Sequence, residues 1–418
     1  MHWLSQIFLV AVATSLLAQL WLSFRQTRAV QAHRDRVPAP FAERISEDDH
    51  RKAADYTVAR ERVGRIDSLV DVALLLVLTL GGGIAYFDSL WRDSGLSQPW
   101  LGTAVILTVF FAQMLIGMPL SIYRTFRLEA RFGFNRTTPK LFVVDLVKQL
   151  ALGLALGVPL LAGILYLMSR AGDQWWLYAW ALMTAFTLFI QWAYPAFIAP
   201  LFNKFTPLAD EALKARISDL LQRCGFKAQG VFVMDGSLRS SHGNAYFTGF
   251  GKTKRVVFFD TLVERLSVAE IEGVLAHELG HYRRNHIRSR MIFSVLMTLA
   301  GFAVLGALSS WPEFYSALGV DQPSAHAALL LFMLAAGPFT FWLTPVGAWW
   351  SRRHEFEADE FAAEHASSTE LATALVKLYR DNANTLTPDS LHSAFYDSHP
   401  PALVRIAHLK QLHTSPGT

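Results

Sequence analysis

Leu150 to Met168 reads LALGLALGVPLLAGILYLM, nineteen residues without a charged side chain. A helix of about 20 apolar residues crosses a hydrocarbon core of roughly 30 Å, with its backbone polar groups satisfied internally. Six further stretches have the same character: Trp3–Leu22, Leu69–Phe87, Leu101–Ser121, Trp175–Phe197, Met291–Leu308 and Ala328–Val346. The composition agrees. Of 418 residues, 52% are hydrophobic and 17% charged, against about 25% charged in a soluble globular protein. The fold class read from this is a mainly α, polytopic membrane protein with about seven transmembrane helices.

Trp3–Leu22 could pass for a secretory signal, but such signals carry their basic residues before the apolar run. Here Arg25, Arg28, Arg34 and Arg36 follow it, which suits a retained anchor with its N-terminus outside. Cytoplasmic loops are enriched in Lys and Arg, and the loops alternate accordingly. The first continues with Arg44, Arg51, Lys52, Arg60, Arg62 and Arg65; the next holds only Arg92. Arg124, Arg127, Arg131, Arg136, Lys140 and Lys148 follow in the third, then Arg170 alone. The segment from Ser309 to Ala327 has neither Lys nor Arg. Seven spans with Ala199–Arg290 and Gly347–Thr418 on the cytoplasmic face satisfy every loop. Trp3, Trp21, Trp91, Trp100, Trp175, Trp176, Trp349 and Trp350 lie at span ends, as an interfacial aromatic belt requires. The organisation expected is spans one to five over 1–198, a cytoplasmic catalytic segment over 199–290, spans six and seven over 291–346, and a C-terminal cytoplasmic segment over 347–418.

The one cysteine, Cys224, rules out an intramolecular disulfide and a cysteine-based metal site and reads as a small apolar packing residue. A net charge of +4 without an aromatic-interleaved basic stripe gives no sign of a nucleic-acid partner. Within the cytoplasmic segments, Leu213, Ile217, Leu220 and Leu221 recur at helical spacing over Asp210–Cys224. Val231–Met234, Asn244–Phe250 and Arg255–Phe259 read as strands, and Gly236–Gly243 as a turn-rich loop. Ser267-Val268-Ala269-Glu270 fits a capping box, starting a helix that runs to about Asn285.

That helix carries His277-Glu278-Leu279-Gly280-His281, the H-E-x-x-H pattern. Residues four apart share a helix face, so both imidazoles can reach one metal ion. Zinc lowers the pKa of a water in its open position to about 7. Glu278, one residue along, is placed to take that water's proton and hand it to the leaving amine. A catalytic zinc needs a third protein ligand. After span seven, Ser351-Arg352-Arg353-His354-Glu355-Phe356-Glu357-Ala358-Asp359 reads as a helix with Glu355 and Asp359 on one face. By spacing alone these are either a ligand with an orienting carboxylate or a solvated acidic face, and His354 competes as a ligand by chemistry.

The chain resembles the type I CAAX prenyl endopeptidase family of membrane zinc proteases. The resemblance is carried by Pro200–Leu208 (PLFNKFTPL), Asn244–Gly249 (NAYFTG), His277–His281, Glu355–Asp359 (EFEAD), Phe132–Asn135 (FGFN) and Ser398–Pro401 followed by Arg405-Ile406. It covers nearly the whole chain in order and span count. It implies one Zn²⁺ per chain held by His277, His281 and Glu355, with Asp359 orienting a ligand and His354 at a variable position. Asn244 and His399 align with polar residues near the family's active centre, suited to holding an oxyanion. His399 also reads as a structural histidine before a proline pair, and Arg405 as an anchor for the C-terminal segment. Asn244, Ala245, Tyr246 and Phe247 begin a strand that, at a sheet edge, accepts an extended substrate; otherwise it is an ordinary paired strand. The resemblance favours the edge. It also implies helices enclosing a large chamber beside a zincin-like catalytic domain with a small β-sheet. Asp71, Gln113 and Gln191 are polar groups at membrane depth, which face protein or water.

The expected activity is peptide-bond hydrolysis at the membrane, with peptide or protein substrates that are lipidated or membrane-associated. The family removes the last three residues after a prenylated cysteine. Short loops and arginine-rich composition suggest a bacterial inner membrane, and bacteria generally lack prenylation, so membrane-protein quality control stands beside CAAX processing. Two alternatives are an intramembrane zinc protease and a non-catalytic metal-binding membrane protein. Arg283, Arg284, Asn285, His286, Arg288 and Arg290 directly after the motif place it at the interface and weigh against the first. A scaffold or transporter has no use for Glu278, and no inverted repeats with broken helices are visible.

Overall fold

The structure is a computed structural model, describing residues 2–226, 230–248 and 255–414. Six helical segments are long and apolar enough to cross a bilayer: Trp3–Ala32, Trp100–Glu129, Pro139–Arg170, Gly172–Phe202, His286–Ser309 and Ala325–His365. Among the described residues, a bent pair, Glu47–Leu78 and Gly83–Arg92 with 53° between them, brings the number to seven when counted as one broken span. The expected second span, Leu69–Phe87, therefore straddles a break. Gly81, Gly82 and Gly83 cause it. Gly82 takes φ +76°, and a Cβ on Gly81 would lie 2.7 Å from the Val77 carbonyl oxygen. Glycine also costs about 1 kcal/mol relative to alanine inside a helix. Several helices outrun the expected spans. Glu47–Leu78 starts at the N-cap Ser46, with Glu47, Asp48 and Asp49 in its first turn, and so extends well beyond the apolar run.

Large apolar side chains such as Val10, Leu17, Phe189, Leu296 and Val304 lie exposed along the spans, the arrangement expected of surfaces that meet lipid. Trp3, Trp21, Trp100 and Trp349 are exposed at span ends, but Trp175 is buried and belongs to the core between helices. A tryptophan's position at a span end does not by itself say which way its ring turns.

Outside the long apolar helices, the described residues form four strands: β1 (Phe205–Pro207), β2 (Gly230–Met234), β3 (Ala245–Thr248) and β4 (Arg255–Phe259). Their order is β1-β2-β4-β3. β2 and β4 are parallel, and β1 and β3 pair antiparallel to β2 and β4 respectively. β3 is thus an edge strand, as expected; the end of the expected Asn244–Phe250 strand, at Gly249 and Phe250, lies outside the described residues. β1 is an unanticipated strand. Beneath the sheet, Leu213, Ile217, Leu220, Phe258, Ile271 and Leu275 form a core with Phe361 and Leu371.

A cavity of about 1070 Å³ opens between the helices and is lined by Tyr56, Arg60, Glu129, His242 and His399. It shares Tyr396 with a second space of about 520 Å³, lined by Asp71 and Gln113. These linings give the chamber that the resemblance implied. Gln191 lies outside both linings; its Oε1 is buried within the protein and has no hydrogen-bond partner.

Candidate active site

The helix Val268–Arg283 begins with the expected capping box: the Ser267 N–H donates to Glu270 Oε2 (2.7 Å) and the Glu270 N–H to Ser267 Oγ (3.3 Å). Ile271, Val274, Leu275 and Leu279 fix its apolar face in the core. It stops at Asn285, which adopts a left-handed φ of 58°, a conformation asparagine tolerates at a helix end. Inside the motif, Gly280 has a packing role. A Cβ there would lie 3.0 Å from the Ala358 backbone and 3.1 Å from Phe361 Cβ. This close approach brings the helix Thr344–His365 against the motif and sets Glu355 and Asp359 beside the histidines.

The three expected ligands converge. His277 Nε2 and His281 Nε2 lie 3.2 Å apart. Glu355 Oε2 lies 3.4 Å from the former, and Oε1 lies 3.3 Å from the latter. One ligand atom from each falls within 4.8 Å of the others. Glu355 is 3% exposed, and its buried Oε2 receives no hydrogen bond. A buried carboxylate oxygen without a donor is costly, and a cation at this point satisfies it. Two imidazoles, one carboxylate and a remaining open position match the donor set of a catalytic zinc.

Each imidazole is held from behind. His277 Nδ1 lies 2.8 Å from Asp359 Oδ1, leaving Nε2 for the metal position. Arg405, 4% exposed, donates to both Asp359 oxygens at 2.8 Å and lies 3.4 Å from Glu355 Oε2. It lies on the C-terminal helix Ala402–Thr414, and its Nη2 also sits 3.1 Å from His277 Nδ1 and 3.2 Å from His277 Nε2. His281 Nδ1 lies 3.0 Å from His286 Nδ1, and His286 Nε2 lies 2.9 Å from Glu357 Oε2. This arrangement would let a His281 that gives Nε2 to a metal donate its Nδ1–H to His286 Nδ1, and a His286 protonated on Nε2 donate to Glu357 Oε2. His354 stands apart from the ligand cluster, stacked on His286 at 3.9 Å. Sequence reasoning did not assign His286 or Glu357. The only available signal was a third histidine just past the motif, together with a further carboxylate in EFEAD.

Burial raises the Glu278 carboxyl above its ordinary value, which favours a general base. His399 lies deep in the protein yet its side chain is 63% exposed, because it faces the cavity; its Nε2 is 3.5 Å from Glu355 Oε2. Burial lowers its pKa. Asn244 is exposed at the start of β3, and its Oδ1 accepts from the Ala245 N–H (2.8 Å). Among the described contacts it touches none of the three cluster residues. Ala245, Tyr246 and Phe247 lie on the edge strand β3; Ala245 is buried, and Phe247 packs on Tyr282 at 5.5 Å.

Residues 26–204 match the model of the CAAX prenyl protease N-terminal region with five membrane helices, and residues 207–413 match that of peptidase family M48. The chain is 32% identical to a CAAX prenyl protease 1 homolog of Arabidopsis thaliana, covering 93% of each. It is 33% identical to that of Caenorhabditis elegans over 96% of this chain and 97% of the relative. To the human homolog it is 30% identical, covering 97% and 96%. The crystal structure of S. mikatae Ste24p superposes with a TM-score of 0.88 at 30% identity, covering 98% of this chain and 99% of that one. The chain is accordingly an integral, multi-pass membrane metalloendopeptidase, and metalloproteases of this family use a metal, generally zinc. With both halves of its sequence and the whole of its fold accounted for in this way, the chain belongs to peptidase family M48, within the type I CAAX prenyl endopeptidases.

Proposed function

We propose that His277, His281 and Glu355 hold one Zn²⁺ per chain and that Glu278 is the general base for hydrolysis of a peptide bond near the C-terminus of a membrane-presented substrate. The observation that carries this is the convergence of the three ligand atoms, within 4.8 Å of one another, beside a half-buried Glu278. Bound there, zinc supplies Lewis-acid polarisation of water and the scissile carbonyl. Glu278 takes the proton from the attacking water and delivers it to the departing amine. Asp359 and Arg405 hold His277; Glu357 and His286 hold His281. Asn244 and His399 donate to the developing oxyanion. Support for Asn244 is that its Oδ1 is committed to the Ala245 N–H, leaving the amide NH₂ to turn outward. For His399 it is the Ser398 hydroxyl 3.0 Å from Nδ1, a donor that leaves the proton on Nε2.

The substrate adds as an extended strand to β3 along Asn244, Ala245, Tyr246 and Phe247, using main-chain hydrogen bonds. Its C-terminal residues enter the chamber. The relatives named CAAX prenyl protease 1 support a lipidated, membrane-associated peptide as the substrate class. The N-terminus lies outside and the catalytic centre on the cytoplasmic face, a reading supported by the Lys and Arg asymmetry of the loops. Short, arginine-rich loops are the support for a bacterial inner membrane. The division into 1–198, 199–290, 291–346 and 347–418 follows from the same topology.

The test is to offer the zinc-loaded protein a farnesylated CAAX peptide and an unmodified membrane-protein fragment, and to repeat with Glu278→Gln. Cleavage of the farnesylated peptide by wild type alone is expected. Equal cleavage by both proteins would remove Glu278 as the base, and cleavage of the unmodified fragment alone would remove the lipidated-substrate reading.

A further inference from the structure

We propose that Arg60, on the chamber wall, binds the terminal carboxylate of the peptide being cleaved and so measures the distance from the scissile bond to the substrate's C-terminus. This rests on the peptidase reading of the same centre. Three arginines line the large cavity: Arg60, Arg124 and Arg239. Arg239 is committed to Asp145 through two bonds of 2.7 and 2.9 Å, and Arg124 to Asp67. Arg60 is exposed to the cavity and leans over the Tyr56 ring, 5.5 Å from its centroid. Among the described residues it has no carboxylate oxygen within 4.0 Å. Three carboxylates share the lining, Glu61, Glu129 and Asp397, and none of them comes within 4.0 Å of Arg60. Glu129 accepts from Tyr56 Oη at 2.8 Å, and Glu61 faces His392 at 3.5 Å. Arg60 is therefore the cation of the chamber left without an ion-pair partner. In a concave space walled by protein, such a charge concentrates anions.

Its position suits the end of a peptide. An antiparallel addition to β3, the pairing β3 already makes with β4, points the added strand's C-terminus toward Asn244. Two residues before Asn244, His242 lines the same cavity. From there a continuous aromatic wall leads to Arg60. His242 meets Phe134 at 4.5 Å, Phe134 meets Tyr56 at 4.9 Å, and Tyr56 carries Arg60. An extended peptide rises about 3.3 Å per residue, so about four or five residues laid end to end follow the three steps from His242 to Arg60. A guanidinium binds a carboxylate through charge-assisted hydrogen bonds.

The proposal is tested by binding on the Glu278→Gln background, so that turnover plays no part, with hydrolysis read separately on the Glu278 protein. The probes are one fluorescent peptide ending in a free carboxylate, the same peptide ending in a carboxamide, and a carboxamide peptide with glutamate as its last residue. The free acid is expected to bind about tenfold more tightly than either amide. With Arg60→Gln added, that ratio falls to about one. With Arg60→Glu, preference reverses toward a peptide capped with a cationic aminoethylamide, an outcome that a merely unfolded variant does not give. Absent binding, equal affinity of acid and amide, or an acid preference that survives Arg60→Gln would overturn the assignment. Acid preference without hydrolysis by the Glu278 protein would leave the carboxylate site standing and remove the peptidase reading.

Discussion

Arg405 clasps Asp359 with two parallel hydrogen bonds, Nε to Oδ2 and Nη2 to Oδ1, both 2.8 Å. Both side chains are almost wholly buried, and Asp359 in turn meets His277. A residue of the C-terminal helix thereby sets the orientation of an imidazole more than a hundred positions earlier. Removing one partner of a buried pair leaves an uncompensated charge and costs about 3–5 kcal/mol. Arg405→Met is expected to lower the unfolding midpoint in detergent sharply. Arg405→Met combined with Asp359→Leu should recover much of the stability, since the orphaned charge is gone, while metal binding stays weak. Additive losses in the double variant would show that the pair is not coupled.

Among the described residues, His286 touches the proposed ligand cluster through His281 alone. Losing such a partner typically weakens metal affinity 10–100-fold. His286→Phe keeps a ring of similar size against His354 but offers no acceptor to His281 Nδ1–H. Competition with a chromophoric zinc chelator should therefore show weaker binding within that range. His286→Asn or His286→Gln, which present an acceptor oxygen, should restore part of it. Unchanged zinc affinity in His286→Phe would reduce the contact to ordinary packing.

In the proposed mechanism Glu278 transfers a proton and takes no part in holding the ion. Glu278→Gln should retain stoichiometric zinc while lowering kcat by about 10²–10⁴-fold, the range typical of a positioned acid–base group. Loss of zinc from this variant would mean that Glu278 serves the metal site structurally.

Burial lowers the pKa of His242 below its ordinary value of 6.5. Below pH 6.5 the unfolded chain takes up a proton there that the folded chain refuses, so this residue's contribution to stability falls as the pH drops from 6.5 toward the depressed folded value. The unfolding midpoint of the zinc-loaded protein is expected to decline between pH 7 and pH 5.5, and His242→Phe should flatten that decline. An unchanged slope in His242→Phe would assign the acid sensitivity elsewhere.

Much of this architecture is legible in the sequence because it is written at short range. The capping box at Ser267, the four-residue spacing of His277 and His281, and the long apolar runs each follow from helical geometry within one element. What stayed hidden depends on how elements meet. The contacts of His286 with His281 and Glu357 join three helices, those of Arg405 with Asp359 join two, and no periodicity reports them. β1, three residues long, is too short to show alternation. The break at Thr79–Gly82 lies inside a run apolar enough to read as one span, although its three consecutive glycines were a signal. The cavity depends on helix packing, so composition could place polar residues at membrane depth but not say that Asp71 and Gln113 line the chamber while Gln191 does not.

The coordination of the metal tests the central claim most directly. Zinc K-edge X-ray absorption on the purified, zinc-loaded protein is expected to show two imidazole nitrogens at about 2.0–2.1 Å, with the remaining scattering from oxygen at about 2.0–2.2 Å, and Glu355→Ala should lose an oxygen contribution or the zinc itself. A first shell without histidine, or one unchanged in Glu355→Ala, would contradict the assignment of His277, His281 and Glu355 as the metal ligands.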